Sequence, residues 1–279
     1  MTSTNPPPGE GRADWAQSLG VVLLQRARTS RWDHRVESWQ AVAATPGFTE
    51  IRDTLTRLAM PTPADRVLDL GAGTGLLALG LAPLVHSVEA IDLSRPMLAH
   101  LDEQARTQGF TNVTTTQADL RCLPLPDGAF TLVVSNYAFH HLDHAGKALA
   151  LSEVRRVLAP DGRLVIGDMM FALSLDRRDR QIIAGKVRAI ARRGPAGIIR
   201  LGRNAARLAV GRWEHPESAA SWVQLLAERR FVEINVVPLA HEGGIASARR
   251  PAAGYECPAS ARSAGDPTSR ERDRAAPER

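Results

Sequence analysis

A cluster of glycines follows a short apolar run in the first half of the sequence. The run "VLDL" occupies residues 67–70, and Gly71, Gly73 and Gly75 come directly after it, before the helix-like pattern "LLALGLA". Glycine adopts positive φ without strain and has no Cβ, so a ligand can approach its backbone closely. The stretch therefore predicts a ligand-binding turn between a buried strand and a helix.

Two aspartates accompany this turn. Asp69 precedes the glycines, and Asp92 ends the next apolar run, "EAIDLS", about 20 residues further along the chain. In a doubly wound sheet, Asp92 would lie at the tip of the neighbouring strand, where a carboxylate can accept hydrogen bonds from both hydroxyls of a ribose. The pattern thus predicts a cofactor that contains a nucleoside.

The spacing around the turn distinguishes two classes of such cofactor. Dinucleotide-binding turns follow the order Gly-x-Gly-x-x-Gly, whereas here Leu76 stands in the place of the last glycine. An acid at Asp69 suits an ammonium group better than a phosphate. These features favour S-adenosylmethionine, which carries an α-amino group and a positive sulfonium, over NAD. A nicotinamide oxidoreductase is also disfavoured because the sequence has no Tyr-x-x-x-Lys pair.

The elements that must position these residues alternate along the chain. Between residues 66 and 168, short apolar runs alternate with helical patterns, and two further runs follow residue 230. The runs are "RVLDL", "SVEAID", "NVTTTQ", "FTLVVSN", "RLVIGD", "FVEINVVPL" and "GGIASAR". Such alternation is typical of βαβ units around a parallel sheet, so we expect a doubly wound α/β fold.

The composition divides the 279 residues into six segments. The two ends are rich in Pro, Gly and charged residues and poor in large apolar side chains, which predicts disorder because they cannot bury enough surface to offset chain entropy. The expected segments are a disordered start (1–12), N-terminal helices (13–60), a cofactor-binding core (61–168), a helical cap insertion (169–220), a closing helix and strands (221–249) and a disordered tail (250–279).

Four motifs in a fixed order resemble the class I S-adenosylmethionine-dependent methyltransferases, and among them the small-molecule group that contains the ubiquinone and menaquinone methyltransferases. The motifs are "VLDLGAGTG", "IDLSRPML", "QADLRCLPLPDGAFTLVVSNYAFHHL" and "VRRVLAPDGRLVIGD". The resemblance covers roughly residues 31–170. It implies a seven-stranded, mostly parallel Rossmann-like sheet with S-adenosyl-L-methionine as cofactor.

The resemblance also implies a role for each residue of the motifs. Asp69 would reach the amino group of the cofactor, Asp92 would hold the ribose hydroxyls, and Asp119 would bind the adenine amino group. Asn136 would face the reactive end of the cofactor. The remaining predicted contacts are to the methionine and ribose (Gly71, Ala72, Gly73, with Gly75 in the same turn) and to the adenine (Leu93, Met97, Leu120). A looser match, Arg31, Trp32 and Asp33, corresponds to a segment that often closes over the cofactor.

The pattern His-His-x-x-His at His140, His141 and His144 raises two chemical possibilities. His140 or His141 is a candidate general base, because either follows closely on the predicted cofactor end of the sheet and could deprotonate an acceptor hydroxyl. A metal site is not expected, since no His-Glu-x-x-His pattern or third ligand at helical spacing accompanies the histidines. Polar residues at the start of a helix are the simpler alternative. Tyr137 and Phe139 are candidates for either core or the wall of the acceptor pocket.

The acceptor must be recognised by the variable part of the chain. In the region 176–212, eleven Arg and Lys side chains accompany two acids, Asp176 and Asp179, and apolar residues lie between them. Such helices can expose a solvated face, bind an acidic substrate or contact an anionic membrane. The functions that remain open are a methyltransferase of a small, partly apolar acceptor, a quinone or lipid methyltransferase with a peripheral membrane contact, and a non-catalytic cofactor-binding or regulatory protein.

The overall composition excludes several other classes. The two cysteines, Cys122 and Cys257, have no spacing typical of a metal site, and two thiols cannot form a disulfide scaffold. The net charge is only +5, and no nucleic-acid module is recognisable, so a nucleic-acid partner is not expected. No secretion signal or membrane-spanning run is visible, which predicts a cytoplasmic protein. The sequence leaves the oligomeric state open.

Overall fold

The structure of the protein is a computed structural model. It describes Asp33, Val36 and residues 46–171, 177–192, 214–239 and 242–252, together with single residues between 194 and 203 and at 254. The predicted disordered start, the first N-terminal helix, most of the tail and parts of the cap insertion lie outside the described residues.

Seven strands and six α-helices make up the described part of the chain. In chain order they are α1 (Pro46–Ala59), β1 (Arg66–Leu70), α2 (Ala78–Leu81), β2 (Ser87–Asp92), α3 (Arg95–Thr107), β3 (Val113–Gln117), β4 (Phe130–Asn136), α4 (His144–Val157), β5 (Leu158–Met169), α5 (Arg177–Ala191), α6 (Ala219–Glu228), β6 (Val232–Pro238) and β7 (Gly243–Arg249). Two short 3-10 turns, Ala82–Leu84 and Phe139–His141, precede β2 and α4.

The strands form one sheet in the order β3-β2-β1-β4-β5-β7-β6. The first five are parallel to their neighbours, and β7 runs antiparallel to both β5 and β6. The strand order reverses direction between β1 and β4, which is where doubly wound sheets bind their ligands. The expected seven-stranded, mostly parallel Rossmann-like fold is confirmed.

Alternate side chains of the strands bury two apolar layers, one on each face of the sheet. On β1, Leu68 belongs to the layer that includes Leu151 of α4 and Trp222 of α6. Its neighbour Val67 belongs to the opposite layer, with Ile51 of α1. Because both faces of the central parallel strands are covered, β1 and β4 are mostly apolar and buried, whereas β3 at the edge of the sheet is mostly polar.

The predicted strands agree with the observed ones to within a residue or two, except for β5. That strand begins at Leu158, ahead of the predicted "RLVIGD", and includes a bend at Asp161, whose φ is 62°. The bend is the turn that the sequence "PDG" predicts. In the part of the chain that the structure describes, no helix is both long and apolar enough to cross a membrane.

Candidate cofactor and acceptor site

A cavity opens at the carboxyl ends of the central strands, beside the point where the strand order reverses. The empty space in it, with the open mouth included, is about 670 Å³. The side facing β1 and β2 is lined by Gly71, Gly73, Asp92, Leu93, Met97, Asp119 and Leu120, and the side facing β4 by Tyr137, Ala138, His141 and Leu142. Seven of the predicted cofactor residues are therefore brought together in one cavity.

The glycine turn after β1 has the positive φ angles that the sequence predicts. They are 70° at Gly71, 53° at Gly73 and 93° at Gly75. The turn is attached to β2, because the amides of Gly71 and Ala72 both donate to the carbonyl of Ile91, at 2.8 and 2.9 Å. A Cβ on Gly71 would lie 2.3 Å from the Cβ of Ala138, so only glycine permits this approach of the turn to the loop after β4.

Asp92, at the end of β2, fixes the backbone around the cavity. Its Oδ2 accepts a hydrogen bond from the amide of Gly73 at 2.9 Å, and its Oδ1 accepts one from the amide of Ser94 at 2.8 Å. Burial raises the pKa of Asp92, and the backbone hydrogen bonds oppose that rise. A carboxylate has about four acceptor positions, so Asp92 keeps capacity for a ligand in the cavity.

Asp33 contacts the same corner of the site from the N-terminal region. The hydroxyl of Ser94 donates to Oδ1 of Asp33 at 2.8 Å, and the charge of Asp33 adds to the factors that raise the pKa of Asp92. The N-terminal segment that the resemblance associated with the cofactor is thus next to the cavity at this residue. Arg31 and Trp32 lie outside the described residues.

Four of the predicted cofactor residues are not among those that line the cavity. Asp69 is 1% exposed and accepts a hydrogen bond from the amide of Ala78 at 3.1 Å, and burial raises its pKa to about 7. Ala72 is buried, and a Cβ on Gly75 would meet Leu101 at 2.9 Å. Asn136 ends β4 with a buried Oδ1 that has no hydrogen-bond partner among the described residues. The proposed contacts of these four residues stay predictions.

Asp119 lines the cavity but also holds an arginine that sequence reasoning missed. Arg121 donates to Oδ1 of Asp119 through its Nε at 2.8 Å and through its backbone amide at 2.9 Å, and its Nη2 contacts Oδ2. The hydrogen bonds to Asp119 raise the pKa of Arg121 further above its usual value. The carboxylate of Asp119 is therefore shared between the cavity and a cationic neighbour two residues away, a spacing visible in "ADLRC".

The acceptor side of the cavity is aromatic. Tyr137 has a φ of 55°, lies on the cavity wall and stacks on Phe48 of α1 with ring centroids 4.2 Å apart. Phe139 is fully buried and contacts Trp222 edge to face at 5.7 Å. Of these two aromatic residues, Tyr137 thus belongs to the pocket wall and Phe139 to the core.

The two candidate histidines occupy different environments. His141 lines the cavity. His140 is 4% exposed, and its Nδ1 lies 2.5 Å from Oδ1 of Asp168 on β5, while its backbone amide donates to Oδ2 of the same carboxylate at 2.7 Å. Their rings are adjacent, with centroids 3.9 Å apart. Asp168, which orients His140, was missed because it lies 28 residues further along the chain, on a different strand.

A segment just before α6 covers these histidines. The amide of His215 donates to the carbonyl of His140 at 2.7 Å. Lys147 is fully buried beneath the segment, and its Nζ donates to the carbonyls of Leu142, at 2.7 Å, and His215, at 2.5 Å. Glu217, 3.4 Å from Nζ, is the charged partner of this lysine. Burial lowers the pKa of Lys147, and the charge of Glu217 opposes that fall.

Comparison with known families agrees with this geometry. Residues 67–162 match a family described as a methyltransferase domain. An uncharacterized methyltransferase of Bacillus subtilis, YcgJ, is 38% identical over 103 residues, which is 37% of this chain and 40% of that protein. A demethylmenaquinone methyltransferase of Thermus thermophilus is 41% identical over 111 residues, or 39% of this chain and 49% of that protein. The chain thus spans less than half the length of these relatives.

Solved structures share the fold at low sequence identity. The crystal structure of YcgJ superposes with a TM-score of 0.51 at 23% identity, covering 68% of this chain and 74% of YcgJ. Geranyl diphosphate C-methyltransferase from Streptomyces coelicolor superposes with a TM-score of 0.54 at 16% identity, covering 72% and 79%. The sequence matches therefore identify residues 67–162 as similar to a methyltransferase domain, and the structural similarities show that the chain shares the fold of these proteins.

Proposed function

We propose that the protein binds S-adenosylmethionine in the cavity beside Asp92 and transfers its methyl group to a small, partly apolar acceptor. The observation that carries the proposal is the Asp92 carboxylate, which lies on the cavity wall and is joined to the glycine turn through the amide of Gly73. Relatives that are named methyltransferases over the same residues support it.

The residues around the cavity fit the cofactor part by part. Asp92 retains acceptor positions for the ribose hydroxyls. Leu93, Met97 and Leu120 offer apolar surface to the adenine, next to the carboxylate of Asp119. Asp69, whose pKa is raised to about 7 by burial, supplies a carboxyl group that an α-amino group at its predicted position would favour in the ionised form. The ribose and adenine contacts would serve a dinucleotide equally well, so Asp69 is the match that favours S-adenosylmethionine, because an acid there suits an ammonium group better than a pyrophosphate.

The chain's own part in the reaction is to orient the reactants and exclude water. The cofactor supplies a methyl group already activated by a sulfonium, so alignment of the acceptor is the main requirement, and orientation of this kind can contribute on the order of 7–11 kcal/mol. Tyr137, Ala138 and Leu142 give the acceptor side a mostly apolar wall. That wall favours acceptors with an aromatic or aliphatic portion.

An acceptor that carries a hydroxyl must also lose a proton. His141 is the histidine on the cavity wall, and His140 lies behind it with Nδ1 directed to Asp168. A histidine in this position can act as a general base near neutral pH. We therefore assign proton removal to this pair, with His141 as the residue in reach of the acceptor.

A second candidate acceptor class is a quinone or lipid at a membrane face. Its support is the relative named a demethylmenaquinone methyltransferase, together with the cap region around α5. Arg180, Arg188 and Arg192 are exposed there, and so are the apolar side chains of Val187 and Ile198, at 45% and 65%. Basic residues near an anionic bilayer each contribute about 1 kcal/mol of attraction, which salt weakens.

The membrane alternative is tested by sedimentation with anionic and neutral liposomes at low and high salt. The variant protein carries glutamine at Arg188 and Arg192, and the control carries glutamine at Arg52 and Arg57 of α1. Salt-sensitive binding to anionic liposomes that only the first variant loses would support a membrane acceptor. Binding that is absent, or equal for both liposome types, would leave the small acceptor as the conclusion.

The main experiment is calorimetry of the purified protein with S-adenosylmethionine, S-adenosylhomocysteine and NADH. We expect the first two ligands to bind and NADH not to bind. Incubation with methyl-labelled cofactor and a small-molecule extract should then transfer label to an extractable product. Binding without any transfer to extract compounds would favour the non-catalytic, regulatory alternative. Binding of NADH alone would contradict the proposal.

A further inference from the structure

Three side chains with metal-binding chemistry converge at the acceptor side of the cavity. His140, His141 and Glu214 each offer a ligand atom, and these three atoms lie within 4.8 Å of one another. His140 and His141 are adjacent in the 3-10 turn after β4, whereas Glu214 comes from the segment before α6. Spacing in the sequence could not reveal the third ligand, because it is more than 70 residues away and follows the cap insertion.

The position of Glu214 is fixed by contacts that do not involve its carboxylate. The next residue, His215, donates its amide to the carbonyl of His140 at 2.7 Å. The carbonyl of His215 in turn accepts from the buried ammonium of Lys147. The backbone on both sides of the cluster is thus held in place, so a carboxylate and two imidazoles are brought together by the fold itself.

Asp168 adds the feature that distinguishes a ligand set from a chance grouping. It engages Nδ1 of His140 at 2.5 Å and also accepts the backbone amides of His140 and Met169, each at 2.7 Å. With Nδ1 directed to a buried carboxylate, Nε2 is the nitrogen of His140 that is available for coordination. Metal-binding histidines almost always have such a partner on the second nitrogen, because it fixes the ring and increases its basicity.

We propose that His140, His141 and Glu214 bind one divalent metal ion of the zinc or cobalt type. Two imidazoles and one carboxylate are a ligand set that these ions accept, and three protein ligands leave a fourth position open. Because His141 also lines the cavity, the open position is on the cavity side. Nothing in this ligand set favours magnesium, which prefers oxygen ligands and retains several waters.

The proposed metal site also indicates which acceptors the protein prefers. This inference rests on the proposed methyl transfer. An oxygen donor can occupy the open position, so the acceptors that we propose are alcohols and phenols. A cation there lowers the pKa of a hydroxyl that approaches it, and the proton leaves to solvent. In the metal-free protein His141 keeps the role of base assigned above. In the metal-bound protein both imidazoles are ligands, and the cation replaces the base.

Metal binding is tested on the tag-free protein after treatment with a chelator and without cofactor. Cobalt(II) is titrated while the visible absorption is recorded, and zinc(II) is titrated by calorimetry. We expect one equivalent to bind, with absorption bands typical of a four- or five-coordinate cobalt site. His141→Ala and Glu214→Gln should weaken binding at least tenfold, and Asp168→Asn should weaken it by about 10–100-fold.

The matched control is His144→Ala, which removes the third histidine of the same sequence motif. His144 is 60% exposed and pairs with Glu217, so its loss should leave the affinity unchanged. Absence of stoichiometric binding, or equal affinity in the native protein, His141→Ala and Glu214→Gln, would overturn the inference. Calorimetry with S-adenosylmethionine on the same metal-free samples keeps the two proposals separate. Cofactor binding without metal binding refutes only the metal site, and metal binding without cofactor binding refutes only the methyltransferase proposal.

Discussion

The two sides of the cavity depend on very different ranges of the sequence. The cofactor side is built from the glycine turn at 71–75 and from Asp92, and the hydrogen bond that joins them spans 19 residues. The acceptor side joins His140 to Asp168, 28 residues away, and to the segment that contains Glu214, which follows the whole cap insertion. One side is a local βαβ unit, whereas the other is assembled from three distant pieces.

The two sides therefore depend on different features of the structure. On the cofactor side, the glycine turn is placed by backbone geometry that one turn can provide, namely positive φ angles and the amide of Gly73, which donates to Asp92. In the acceptor half, the function arises from pairs of side chains whose distance depends on the register of β4 against β5, where Asn136 is paired with Gly167.

Replacing His141 is expected to have the largest effect on turnover and to separate the two sides cleanly. In the metal-free protein, where His141 is the proposed base, His141→Ala should lower kcat by roughly 10²–10⁴, because proton removal by a positioned side chain contributes that much. Affinity for S-adenosylmethionine, measured by calorimetry, should stay unchanged, since the cofactor contacts lie on the other wall. The same substitution at His144 should leave both quantities unaltered. A variant that loses cofactor affinity in proportion to kcat would contradict the division of the cavity.

Gly71 tests the junction between the two sides. A Cβ at this position would lie 2.3 Å from the Cβ of Ala138, on the loop that leads to the histidines. Gly71→Ala should weaken cofactor binding about 100-fold, because overpacking costs about 1–3 kcal/mol and the positive φ adds strain. Gly109→Ala is the matched control, since Gly109 has a φ of 76° but no atoms within 4 Å of its Cβ position. Equal losses in both variants would assign the effect to strain alone.

Most of the fold could be predicted from the sequence. The strands Arg66–Leu70, Ser87–Asp92, Phe130–Asn136 and Gly243–Arg249 coincide with the apolar runs. The first three of these strands are parallel and covered on both faces, which makes them mostly apolar along their length, whereas Gly243–Arg249 is antiparallel to both of its neighbours. The helical patterns between these runs indicate a doubly wound α/β architecture.

The sequence could predict a site residue only where its position does not depend on a distant partner. The cavity gathers Gly71, Gly73, Asp92 and Asp119, each of which follows a strand and could be located by that alone. By contrast, Asp168 orients His140 from 28 residues away and leaves no local signal, whereas the pairing of Arg121 with Asp119 corresponds to the short spacing in "ADLRC". Charge partners across the sheet require the strand register, which the sequence pattern does not specify.

Asp92 tests whether the cofactor side holds a ribose. Asp92→Asn should reduce the affinity for S-adenosylmethionine by about 10–100-fold, since a hydrogen bond to a charged acceptor is worth roughly 1.5–3 kcal/mol. Asp127→Asn is the control, because Asp127 is 77% exposed and pairs with Arg156 outside the cavity. Calorimetry with adenosine as a second ligand localises the loss to the ribose. Unchanged affinity in Asp92→Asn would remove this residue from the binding site.

The smallest effect is expected from Asp69, and it should be visible in the pH dependence of stability and of cofactor affinity. Burial raises the pKa of Asp69 to about 7, whereas in the unfolded chain it is near 3.8. Between these two values the folded protein retains a proton that the unfolded chain has lost, so the contribution of Asp69 to stability falls as pH rises from about 4 to 7 and is constant above that range. Asp69→Asn keeps an oxygen for the amide of Ala78 and removes the titration. The melting temperature of the variant relative to the native protein should therefore rise by a few degrees between pH 5.5 and 7.5, at roughly 2–4 °C per kcal/mol.

An ammonium group on the bound cofactor favours the ionised form of Asp69. The affinity of the native protein for S-adenosylmethionine should therefore increase a few-fold over the same pH interval, while that of Asp69→Asn stays level. Parallel pH dependences in the two proteins would show that Asp69 neither titrates in this range nor contacts the amino group.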